Sequence, residues 1–78
     1  MVLDIKLDTA KKAADLNTVA SSVPFSIWVH SKDGMAMVDA RSLINLLPLV
    51  GVPCVLVAED DTDPKAFQKA AKRAGVLE

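Results

Sequence analysis

In the stretch Val38-Asp39-Ala40-Arg41-Ser42-Leu43-Ile44-Asn45-Leu46-Leu47-Pro48 a strand ends, a short helix begins and a proline limits it. Met35 to Asp39 is a mostly apolar run after an Asp33-Gly34 turn, which reads as a strand. The spacing then changes, because Leu43, Leu46 and Leu47 recur at helical intervals. Asp39 and Ser42 are both cap-type residues at that change of period, and Ser42 directly precedes the apolar helical run. Ser42 is therefore the predicted N-cap. Pro48 confines the helix to about two turns, since the residue before a proline avoids helical backbone angles. A serine hydroxyl at a helix start has two readings. It can cap the helix, contributing about 1 kcal/mol, or it can carry a phosphate among the unpaired N–H groups of the first turn. The cap is the commoner role.

Working outward, the bounds are narrow. At 78 residues the chain forms one domain, 1–78, near the lower limit for folding without staples. One cysteine and one histidine allow neither an internal disulfide nor a metal cluster, and no motif calls for a cofactor. A reducing, cytoplasmic setting is expected. Met1 to Leu7 has no long apolar core, so neither a signal peptide nor a membrane anchor is expected there. The net charge is −1, and basic residues concentrate only near the C-terminus, on Lys65, Lys69, Lys72 and Arg73. Neither a nucleic acid nor a membrane is an expected partner. A self-contained enzyme is not expected either. There is no acid/base pair in a defined motif, no glycine-rich phosphate loop and no nucleophile–histidine spacing. Cys54 falls in a predicted buried strand and reads as core.

Val2 to Leu7 alternates, with Leu3, Ile5 and Leu7 on one side, and is a half-buried strand. Asp8 and Thr9 offer a cap for an alanine-rich helix, Ala10 to Ala20, whose buried face is Ala13, Leu16 and Ala20. Lys11 and Lys12 sit in its first turn, where cations oppose the helix dipole. They are either anion contacts beside Thr9 or solvated surface charge. Phe25 to His30 is the second strand. A two-residue Asp33-Gly34 hairpin turn would pair Lys32 with Met35, Val29 with Val38 and Trp28 with Asp39. Cys54 to Glu59, apolar on both faces, reads as a central strand. Asp63-Pro64 starts the last helix, with Phe67, Ala70, Ala71 and Ala74 inward, Lys65, Lys69, Lys72 and Arg73 outward, and Gly75 as C-cap.

The order β-α-β-β-α-β-α, with hairpin-linked strands and one-sided helices, implies an α+β fold. It is expected to be an open-faced two-layer sandwich, a four-stranded antiparallel sheet with three helices on one face. Strand parity then leaves Val2, Trp28, Met35, Met37, Val55 and Val57 on the face that no helix covers. Such a patch can mark an interface, or it can be broken up by Asp4, Lys6, Ser26, His30, Asp39 and Glu59.

This order, this length and the central stretch together resemble HPr, the small phosphocarrier of the bacterial sugar phosphotransferase system. Val29 and the turn with Gly34 lead to Ala40-Arg41-Ser42-Leu43-Ile44, which is similar to the family's Ala-Lys-Ser-Leu-aromatic segment. Val57-Ala58-Glu59, an acidic turn and a final helix follow as they do in the family. The resemblance implies the HPr-like sandwich, with the fourth strand between the first and second. It places Ser42 on the serine that a dedicated kinase phosphorylates in many members. It places Leu43 and Ile44, with Leu47 beside them, on apolar residues presented to partners.

The first part departs from the family. HPr proteins carry Gly-Leu-His-x-Arg-Pro-Ala after the first strand, and the histidine accepts the phosphate. Here Leu7-Asp8-Thr9-Ala10-Lys11-Lys12-Ala13 stands in that place, with Thr9 at the histidine position and Lys11 at the arginine position. A threonine phosphate ester is not passed on as a phosphohistidine is. The resemblance therefore implies a regulatory binding protein, comparable to the catabolite-repression HPr homologue, switched through Ser42 by an HPr-serine kinase. Its implied partners are proteins of the phosphotransferase system or a carbon-catabolite regulator. An ordinary phosphocarrier and a homodimeric interaction domain without phosphorylation are the alternatives.

Overall fold

A computed structural model describes residues 1–78. Its elements are β1 (Val2–Ile5), α1 (Ala10–Ser22), β2 (Trp28–Ser31), β3 (Met37–Asp39), α2 (Leu43–Leu46) running on into a 3-10 turn (Leu47–Leu49), β4 (Cys54–Val57) and α3 (Pro64–Ala74). The four strands form one antiparallel sheet in the order β1-β4-β2-β3. The predicted α+β architecture, with four antiparallel strands and three helices, is what forms. No helix is long and apolar enough to cross a membrane.

Strand parity sorts the chain into two layers. Ile5, Val29, Cys54 and Leu56 turn inward and join Ala13, Leu16, Phe67, Ala70, Ala71 and Ala74 in one buried cluster. Leu7, Ile27, Leu46, Leu49 and Val76 close it. Small residues on α1 and α3 let the two helices lie close over the sheet, while Leu16 and Phe67 fill the space between.

Several boundaries differ from the sequence reading. β1 ends at Ile5, β2 runs from Trp28 to Ser31, and β4 ends at Val57. α1 continues through Ser21 and Ser22, whose hydroxyls donate back to the carbonyls of Asn17 and Val19, each at 2.8 Å. Pro48 does not end the helical path. The chain tightens to a 3-10 turn around it, closed by the Val50 N–H on the Leu47 carbonyl.

The β2–β3 register is the predicted one, with Trp28 opposite Asp39 and Val29 opposite Val38. The loop joining the strands is not a two-residue turn. Ser31 pairs with Ala36, and the tip is closed by the Gly34 N–H on the Ser31 carbonyl at 3.0 Å, with Gly34 at φ +77°. The Asp33 carboxylate organises this loop, accepting from the Ser31 hydroxyl at 2.6 Å and the Met35 N–H at 2.9 Å. These donors, the Ser31 hydroxyl first, hold the Asp33 carboxyl below its ordinary value of 3.8.

The last residues add a further piece of sheet. Past the Gly75 cap, Val76 folds back on α3, and its carbonyl accepts from the Lys6 N–H at 2.7 Å. Leu77 makes a β-bridge to Ile5. The outer edge of β1 is thereby partly paired.

Candidate functional site

Two neighbourhoods carry the candidate residues, and both lie in the helical layer. The first is the start of α1. Thr9 is extended, and its hydroxyl accepts from the Lys12 N–H at 3.2 Å, so Thr9 is the working N-cap. Lys12 pairs with Asp8 at 3.1 Å and Lys11 with Asp15 at 2.8 Å. Each cation in the first turn is thus met by a carboxylate of this chain. Lys12 is also the main reason that the Asp8 carboxyl lies below its ordinary 3.8. Next to Asp8 is a shallow groove of about 220 Å³, lined among others by Leu7, Lys32, Val52 and Pro53.

The second neighbourhood is α2. Asp39 makes a tight turn before it, its carboxylate accepting from the Arg41 N–H at 2.9 Å and its carbonyl from the Ser42 N–H at 3.0 Å. Ser42 occupies the N-cap position with extended backbone, but its hydroxyl makes no capping hydrogen bond. The expected capping role of the Ser42 side chain is therefore corrected. With the backbone at φ −104° and ψ 96°, the cap geometry is met by the main chain alone. The side chain is half-buried. Leu46 points into the core, whereas Leu43, Ile44 and Leu47 are exposed, Ile44 to 78 %. Three large apolar side chains in water around one serine are the most conspicuous feature of this layer.

Arg41 ties the α2 neighbourhood to the far, C-terminal end of α1, and the sequence did not single it out. Its guanidinium donates to the carbonyls of Ala20, Val23 and Phe25 at 3.3, 3.3 and 3.4 Å. The Asn17 amide donates to the Ala40 carbonyl at 3.1 Å. A signal was available. α1 has no glycine at its end and no basic residue in its last turn, so its terminal carbonyls need a donor from elsewhere.

His30 lies on the sheet, opposite Met37 and Val55, and faces away from α1. It is not near Thr9. The open face itself is ordered by the register. Val2, Val57, Trp28 and Asp39 form one row, and Asp4, Val55, His30 and Met37 the next. Met37 is exposed to 70 %, while Trp28, Val55 and Val57 are only half-exposed. Met35, expected on this face, lies instead in the loop before β3, because that strand starts only at Met37. Cys54 is fully buried, and that burial, followed by the charge of Asp33, pushes its thiol above the ordinary value of 9.0. The thiol stays protonated and shielded.

Compared with known proteins, the chain matches no family model and no curated protein. The chemistry of the site rests on the residues themselves. No base addresses Thr9 or Ser42, and the acidic groups near α1 are spent on lysines. What the arrangement offers is a surface for contact, with a serine hydroxyl at its margin.

Proposed function

We propose that the chain is a regulatory binding protein of HPr type. It engages a phosphotransferase-system protein or a carbon-catabolite regulator through Leu43, Ile44 and Leu47, and is switched at Ser42. The carrying observation is the exposed triad beside a serine whose hydroxyl is free of any capping bond. The strand order β1-β4-β2-β3 is the HPr order, which supports the kinship. Thr9 at the relay position is occupied as a helix cap, which fits regulation rather than transfer of phosphate.

Two parallel incubations test this reading, one with phosphoenolpyruvate and the general phosphotransferase enzyme, one with ATP and HPr-serine kinase. Intact mass should show no phosphate in the first and one phosphate, mapped to Ser42, in the second. Acid-labile phosphate in the first would restore the ordinary phosphocarrier. Phosphate on Ser21, Ser22 or Ser31 with Ser42 untouched would refute the switch. A second reading, a homodimer through the open sheet face, is favoured by the exposure of Val2 and Met37. Sedimentation at rising concentration, with Trp28→Lys as control, separates it from a monomer.

A further inference from the structure

The outward face of α3 is the one strongly basic surface of the molecule, and it follows the exposed acidic turn of Glu59, Asp60, Asp61 and Asp63. Lys65, Lys69, Lys72 and Arg73 are all exposed. None lies within ion-pair distance of a carboxylate, because the ion pairs use Lys11, Lys12, Lys32 and the N-terminal ammonium instead. Arg41 is committed to three carbonyls. Apart from Lys6, every cation without a partner is on this helix. The segment Pro64–Ala74 contains no acidic residue. Lys65 and Lys69 are like charges four apart, as are Lys69 and Arg73, so the helix works against about 0.2–0.5 kcal/mol of repulsion per pair. Lys72 and Arg73 gain from the helix dipole, but Lys65, in the first turn, opposes it. A merely soluble helix face mixes its signs.

We infer that this face docks an acidic helical segment of a partner protein. The cations run from Lys65 to Arg73, roughly 12 Å along the axis at 1.5 Å per residue. That length suits about two turns of a helix bearing carboxylates at three- and four-residue spacing. Two other polyanions fit less well. A single-stranded nucleic acid wants aromatic platforms, and the only aromatic of α3, Phe67, is buried. A bilayer surface wants apolar groups to insert, and α3 exposes no large apolar side chain. The surface is separate from Leu43, Ile44 and Leu47, so it does not depend on the proposed function.

The test is fluorescence anisotropy on the full chain. The probe is a fluorescein-labelled helical peptide with glutamates at every third and fourth position. Phosphatidylserine vesicles and a single-stranded DNA oligonucleotide serve as competing probes. Binding of the peptide at low salt should weaken steeply as salt is raised. Lys69→Glu should weaken it about tenfold, while Lys6→Glu, the same change in net charge, should alter it less than about twofold. Lys69→Glu also creates opposite-charge pairs with Lys65 and Arg73, so its thermal midpoint should not fall. Lys65→Gln with Lys69→Gln reads the same loss without reversing a charge. No peptide binding at low salt, equal losses in Lys69→Glu and Lys6→Glu, or tighter binding to vesicles or the oligonucleotide than to the peptide would each overturn the inference.

Discussion

Replacing Thr9 and Ser42 by alanine, one at a time, should give opposite results at two positions that look alike in sequence. Both residues occupy N-cap positions, but only Thr9 uses its hydroxyl as a cap, accepting from the Lys12 N–H at 3.2 Å. Losing that bond leaves a first-turn donor to water alone and should cost about 1 kcal/mol. A domain of this size has a total stability of about 4–12 kcal/mol. Its melting midpoint moves by about 4–8 °C per kcal/mol. Thr9→Ala should therefore melt about 4–8 °C lower. Thr9→Ser, which keeps an acceptor in place, should recover most of that loss. Ser42→Ala removes a hydroxyl with no capping bond and should stay within about 0.5 kcal/mol of the parent. Urea titrations read by the Trp28 fluorescence, with a common slope for the four proteins, measure all these differences. If Ser42→Ala costs as much as Thr9→Ala, the hydroxyl of Ser42 is engaged in solution. The reasoning that leaves it free for modification then fails.

Arg41→Met keeps the aliphatic stem but removes three donors from the end of α1. It should cost about 1–2 kcal/mol and speed amide exchange at the C-terminal turn of α1 before any other segment. Leu16→Ala empties a fully buried position and should cost about 2–5 kcal/mol, a large share of the total, visible as partial unfolding near physiological temperature. The acid limb of stability should follow Asp8 and Asp33. Both carboxyls are held below 3.8 in the folded chain, so their contribution is full well above that pH. It is lost as pH falls through the lowered folded values, and Asp33→Asn should make the decline of the midpoint in acid shallower.

The parts of the fold legible in sequence are those with a period. Leu3, Ile5, Val29 and Val38 gave the sheet parity. The pairing of Val29 with Val38 survives because a four-residue loop between Ser31 and Ala36 gives the same alignment as a two-residue turn between Lys32 and Met35. The tip itself was misread because the Asp33 side chain, rather than the glycine alone, closes it. The Ser42 cap was misread because both residues that could cap were present, and Asp39 had already tightened the chain ahead of the helix. Arg41 and the Val76–Leu77 pairing are contacts between residues distant in sequence; the uncapped end of α1 shows that a donor is needed but not which residue supplies it. Among the site residues, helical spacing grouped Leu43, Leu46 and Leu47 on one face, but only Leu46 is buried; Leu43, Ile44 and Leu47 were expected at the surface from the resemblance alone. The neutralisation of Lys11 and Lys12 needs only the carboxylates four residues away, Asp15 and Asp8, a pattern present in the sequence.

The bridge from Leu77 to Ile5 has a consequence for how copies of this chain can grow into larger assemblies. An open sheet ordinarily offers two templating edges, and a fibre needs both, one to accept the next strand and one to be accepted. Here Val76 to Glu78 covers the Asp4 to Lys6 part of the β1 edge through the Lys6 and Glu78 N–H groups, which makes β3 the more open rim. Strand-to-strand addition through β3 consumes that rim on both copies and stops at two. Growth past two copies would have to use the β1 side, and detachment of Val76 to Glu78, rather than global unfolding, is the step that would uncover its Asp4 to Lys6 stretch.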